Sequence, residues 1–132
     1  MKQKIINGSN TLEILVTEEM LASFEDTVIH PVYSTFWLCY HVELCARKTI
    51  EPYFDEDENA LGGGIEITHK GMAPLGAIIS ITTRVLKLSE KTIVCEFVVF
   101  HRDILLATGF QTQHYFTQKT IDNLVKSAYD RL

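Results

Sequence analysis

Apolar and polar positions change period along the chain, and each change marks an element. Leu12, Ile14 and Val16 alternate with Glu13, Leu15 and Thr17, the two-residue repeat of a short strand. Thr17 followed by Glu18 and Glu19 has the form of a helix N-cap with acids in the first turn, so a short helix or turn is expected to about Asp26. His30-Pro31 interrupts the pattern. Ser34 or Thr35 then caps a helix predicted from Phe36 to about Tyr53, a stretch without Gly or Pro until Pro52. Cys39, Val42, Ala46, Ile50 and Tyr53 follow helical spacing there, with Trp37, Leu38, Leu44 and Cys45 on the flanks. A helix apolar over so much of its circumference requires other elements to wrap it.

Those elements lie downstream. After the acidic loop 55–59 and the run Gly62-Gly63-Gly64, residues Ile65, Ile67 and His69 share one strand face, with Glu66, Thr68 and Lys70 on the other. Strand patterns follow at 77–88, 92–101 and 104–116, separated by the turns Ser89-Glu90-Lys91 and Arg102-Asp103. Connections this short make consecutive strands antiparallel neighbours. Ile121, Leu124, Val125 and Ala128 then mark a terminal amphipathic helix over 118–132. The prediction is an α+β architecture, an antiparallel sheet of about five strands wrapped around a long central helix, which is the outline of a hot dog fold. A length of 132 residues, 46% of them hydrophobic, suits a single domain over 1–132.

Charge narrows the partners. Twelve Lys and Arg against seventeen Asp and Glu give a net charge of −5, and no basic stripe tracks along any segment, so a small organic ligand is expected rather than nucleic acid. Cys39, Cys45 and Cys95 are odd in number and lack metal-ligand spacing; they read as reduced core thiols of a cytoplasmic protein, with no metal or cofactor expected. The segment 1–10 lacks the apolar run of a signal peptide and no stretch approaches membrane-spanning length, so neither export nor a membrane partner is expected.

Against this background Thr35, Glu43 and His69 stand out as polar groups in elements that otherwise read as core, where burial is costly without a purpose. Each also has an ordinary explanation: Thr35 as a helix cap, Glu43 as half of a structural pair, His69 as a satisfied core histidine. If both lie in the helix, Thr35 and Glu43 stand about 12 Å apart along its axis. Direct contact then requires Thr35 to fold back from a non-helical turn, or the two residues to act in different subunits. The glycine run leads into a strand rather than a helix, so it is no phosphate loop. It is either a flexible turn or a place of close backbone approach, with the Gly62 or Gly63 N–H as an oxyanion donor.

Three short stretches carry a resemblance. Val32-Tyr33-Ser34-Thr35 with Glu43 beyond it, Ala60-Leu61-Gly62 leading to Ile67-Thr68-His69, and Pro74-Leu75-Gly76 are similar to the fluoroacetyl-CoA thioesterase group of hot dog proteins, over residues 32–116. The resemblance implies that Thr35, Glu43 and His69 are the catalytic group and that Gly62 offers a backbone donor to the thioester oxygen. It further implies an acyl-CoA thioesterase that needs no cofactor, releases carboxylic acid and free CoA from a small or medium acyl-CoA, and works as a homodimer or higher homo-oligomer with sites at the subunit interface. The family pattern has an Arg near the end of its last strand where this chain has Gln113, and a Phe-containing lid where it has Ile29-His30-Pro31. Both departures point away from fluoroacetate while leaving thioester hydrolysis as the class. Competing expectations are a non-catalytic acyl-CoA binding or sensing protein, and an enoyl-thioester hydratase, which would alter the acyl chain and leave the thioester intact.

Overall fold

The β-branched runs form seven strands in the computed structural model, which describes all of residues 1–132. These are β1 (Ser9–Leu15), β2 (Leu21–Phe24), β3 (Thr27–Tyr33), β4 (Glu58–His69), β5 (Ile78–Leu88), β6 (Thr92–His101) and β7 (Ile104–Thr117). Two helices, α1 (Thr35–Ile50) and α2 (Gln118–Tyr129), complete the chain with three short 3₁₀ turns. Five strands make one antiparallel sheet in the order β1-β5-β6-β7-β4, while β2 and β3 pair separately as a hairpin. This is the hot dog architecture, with α1 lying across one face of the sheet.

Side-chain alternation shows which face. Ile79, Ile81, Ile93, Cys95 and Val99 are fully buried, and from α1 Leu38, Val42, Cys45, Ala46 and Ile50 meet this side of the sheet, also fully buried. Burial of each large aliphatic here contributes about 1.5–3 kcal/mol relative to leaving it in water. Gly109 on β7 is forced by this packing. A Cβ there would run into the Glu66 carbonyl and stand 2.8 Å from the Phe97 ring, so β4 could not sit beside β7.

The structure departs from the sequence reading in four places. Thr17 makes no helix cap and its hydroxyl has no hydrogen-bond partner; a 3₁₀ turn at Glu18–Met20 leads instead into the β2–β3 hairpin. Glu25 and Asp26 both have positive φ, 49° and 64°, the left-handed pair that a two-residue hairpin loop requires. Second, α1 stops at Ile50 and a 3₁₀ turn holding Pro52 follows. Third, the glycine run is no turn but part of β4, with a bulge at Gly63. Fourth, the wrapping of α1 is one-sided: Phe36 is 74% exposed and Tyr40 51%, and Cys39 is half-buried rather than a core thiol.

The junction of β3 and α1 is pinned by a buried pair. The Tyr33 hydroxyl and His41 Nδ1 share a hydrogen bond at 2.6 Å, with both side chains almost wholly out of water. Burial lowers the His41 pKa from the usual 6.5 and raises that of Tyr33, so the pair is held neutral. Because the folded His41 resists protonation more than the unfolded one, stability is fully present above pH 6.5 and declines as pH falls below it. Chemical denaturation is expected to give a smaller unfolding free energy at about pH 5.5 than at about pH 7.5, and His41→Gln, which keeps an acceptor for Tyr33, should flatten that slope.

Candidate active site

Capping at the start of α1 decides what Thr35 is free to do. Ser34 has extended φ and ψ, and its Oγ accepts from the Trp37 backbone N–H at 3.1 Å, which is the N-cap bond. Thr35 is therefore not the cap. Its Oγ1 instead meets His69 Nδ1 at 2.7 Å, joining the first turn of α1 to the last residue of β4. Around this pair lies a cleft of about 260 Å³ lined also by Ala22, His30, Tyr33 and Met72.

Glu43 sits two turns further along α1, on its exposed side. Its Oε1 accepts from Gln111 Nε2 at 3.2 Å, and the carboxylate lies over Gly62 of β4, where a Cβ would stand 2.5 Å from Oε1. A side chain at this position would displace the carboxylate from where it lies. A second cleft of about 320 Å³ opens here between Tyr40, Glu43, Leu44, Arg47, Gly62 and Gln113. Gly63 faces the other way: a Cβ on it would strike the His114 imidazole. It is the residue left without a partner where the β4–β7 register shifts.

The predicted residues thus fall into two pairs, Thr35 with His69 and Glu43 with Gly62, which one chain does not bring together. The two members on α1 are about 12 Å apart along the axis. The two on β4 are about 23 Å apart along the strand. Cys39 and Cys95 are unsuited to nucleophilic attack, since burial and then the Glu43 charge push the Cys39 thiol up, and burial pushes Cys95 up to about 12. No three His, Cys, Asp or Glu side chains gather as a metal-ligand group.

Gln111 escaped the sequence reading, and Gln113 entered it only as a departure from the family pattern. Gln111 and Gln113 lie on the inward side of β7, 0% and 3% exposed, and the visible signal was a pair of amides two residues apart in a strand at positions where a core face expects apolar groups. His41 gave no signal separating it from a surface histidine until its Tyr33 partner was in place.

The hot dog scaffold carries a carboxylate over a glycine-lined strand bulge and a hydroxyl–imidazole pair at the other end of the same helix, and the protein is a thioester hydrolase by family. The model of the fluoroacetyl-CoA-specific thioesterase family (FlK) matches residues 16–119, and the chain belongs to that family. A Thermus thermophilus thioesterase superfamily member superposes with a TM-score of 0.93 at 27% identity, covering 98% of this chain and 96% of that one. The fluoroacetyl-CoA thioesterase FlK itself superposes at 0.81 with 16% identity over 92% of this chain and 95% of that one. A hot-dog-like protein from Thermanaerovibrio acidaminovorans gives 0.84 and 16%, covering 96% and 92%. These last two are likenesses of fold. No curated protein matches the sequence significantly.

The division of labour between Ser34 and Thr35 is testable by chemical denaturation. Ser34→Ala is expected to lower the unfolding free energy by about 1 kcal/mol through loss of the cap, and Thr35→Ala by markedly less.

Proposed function

We propose that the protein hydrolyses small or medium acyl-CoA thioesters to the carboxylic acid and free CoA, at sites built across a homodimer interface. Each site takes Glu43 and the Gly62-Gly63 bulge from one subunit and Thr35 and His69 from the other. The observation that carries this reading is the separation of the two half-sites within one chain, beside a strand edge with nothing paired to it. β4 is bonded only to β7, and its other edge is free. Unpaired edges of this length invite pairing with a second chain.

Antiparallel pairing of β4 with its own copy, centred on Glu66, would bring the Gly62-Gly63 bulge opposite the partner subunit's His69. The same two-fold axis would turn Glu43 toward the partner subunit's Thr35. It also covers Phe36, Tyr40, Leu61 and Ile65, which one chain leaves 74%, 51%, 39% and 37% exposed.

Within such a site the chemistry follows from the groups. The backbone N–H at the bulge donates to the thioester oxygen as it gains charge. The Glu43 carboxylate either takes a proton from the attacking water or attacks the carbonyl carbon itself, and both routes use the oxygen that Gln111 leaves free. The carbonyl–sulfur bond breaks, and the partner subunit's His69, oriented through Nδ1 by Thr35, delivers a proton to the departing thiolate. Water supplies the oxygen and hydrogen that complete acid and thiol. A cleft of about 320 Å³ between Tyr40, Leu44 and Gln113 suits a short acyl chain. Gln113 and Ile29-His30-Pro31 favour a substrate other than fluoroacetyl-CoA. The free cysteines suit the reducing cytoplasm, where acyl-CoA is also found.

Free-thiol release measured over a panel of acyl-CoAs tests the activity. Wild type is expected to release CoA from short and medium chains, with Glu43→Gln and His69→Ala each slower by about 100-fold or more. Inactivity on the whole panel, or full rates in both variants, would overturn the reading. Mixing the two variants tests the interface. After subunit exchange a heterodimer holds one intact site and one doubly altered site, so activity should return to about a quarter of wild type. Sites contained within single chains would give no recovery.

A further inference from the structure

We propose that Gln111 and Gln113 form a buried amide relay that positions the Glu43 carboxylate for reaction. This rests on Glu43 being the reacting carboxylate. The relay is directional: Gln113 Nε2 donates to Gln111 Oε1 at 3.1 Å, and Gln111 Nε2 donates to Glu43 Oε1 at 3.2 Å. Every bond points its donor toward the carboxylate, so the chain of amides ends as a donor on a group that only accepts when ionised.

Three further observations give the relay its purpose. The first is rigidity. Gln111 stands between Cys95 of β6 and Ile65 of β4, and Gln113 between Ile93 and Gly62, so both backbones are fixed on two sides in the sheet. The second is that stability alone gives no reason for amides here, since replacing paired buried polar groups with apolar ones of the same shape is often neutral or stabilising. The third is exclusivity: the Gln111 bond is the one side-chain hydrogen bond Glu43 makes.

The surroundings of Glu43 are otherwise nearly free of charge. On its own helix Cys39 lies one turn before it. Arg47 lies one turn after, with its guanidinium engaged by Glu51, the Asn59 side chain and the Ala60 carbonyl. On β4 the residue against it is Gly62, and on β7 only the two neutral amides approach. Holding Oε1 leaves Oε2 without a side-chain partner, in a residue that lines the cleft with Gln113. A carboxylate on an exposed helix face would otherwise sample several rotamers, and the relay selects one.

The test is steady-state kinetics of the intact protein with an acyl-CoA that wild type hydrolyses. Gln111→Met is expected to lower kcat about tenfold or more while KM stays within about twofold, because the amide orients Glu43 rather than contacting substrate. Gln113→Leu should lower kcat several-fold alone and add nothing in the Gln111→Met background, because it acts through Gln111. An unchanged kcat in folded Gln111→Met, or losses that simply multiply in the double variant, would overturn the relay. If Gln111→Met does not fold, Gln113→Leu alone decides, and wild-type kcat in it counts against the proposal. Glu43→Gln separates the two levels. Loss of activity there with full kcat in Gln111→Met sinks the relay alone, whereas full activity in Glu43→Gln sinks the site on which it rests.

Discussion

The packing of α1 on the inner face of the sheet is the constraint from which the site follows. Leu38, Val42, Cys45, Ala46 and Ile50 occupy one side of the helix and are wholly buried. With 3.6 residues per turn, that choice sends Thr35, Phe36, Tyr40 and Glu43 to the other side. The helix is therefore fixed by one face and exposed along the other. Its length then dictates that the hydroxyl and the carboxylate stand two turns apart, each against a different end of β4. A catalytic group drawn from this helix and this strand is divided by geometry before any partner is considered.

Much of the fold was legible because its elements are periodic and their connections short. The strands at 78–88, 92–101 and 104–117 fall within a residue of their expected bounds, since Ile, Val and Thr alternate there between unambiguous turns. The β2–β3 hairpin was not legible. Thr17-Glu18-Glu19 imitates a helix start, Pro31 argues against a strand, and a loop of Glu25-Asp26 lacks the glycine that usually announces a two-residue turn. Pro31 is tolerated because β3 pairs only with β2 and is an edge.

The candidate residues stood out in the sequence, and their arrangement did not. Thr35 and His69 do meet, and Glu43 does lie over Gly62, but the reason for noticing them was the cost of burial, and in a single chain Thr35 and Glu43 are exposed. Periodicity reports which side of a helix differs from the rest. It does not report whether a mixed apolar and polar side faces a core or a second subunit, because both require the same residues. Phe36 and Tyr40 illustrate the ambiguity: both are apolar and exposed, while the sheet covers the opposite face of the helix.

Gln111 and Gln113 show where local rules and function separate. Alternation along β7 assigns both positions to the core, and an isolated buried amide there would cost about 1–3 kcal/mol. The cost is avoided only by bonding the amides to each other and the last one to Glu43, so their presence in the core depends on a carboxylate at the surface. A cation in the same place would also satisfy a carboxylate, but its charge would stabilise the ionised form and weaken it as a base or nucleophile. Neutral donors orient Glu43 with less of that penalty. The character of this site accordingly lies as much in the uncharged strand behind Glu43 as in the carboxylate itself.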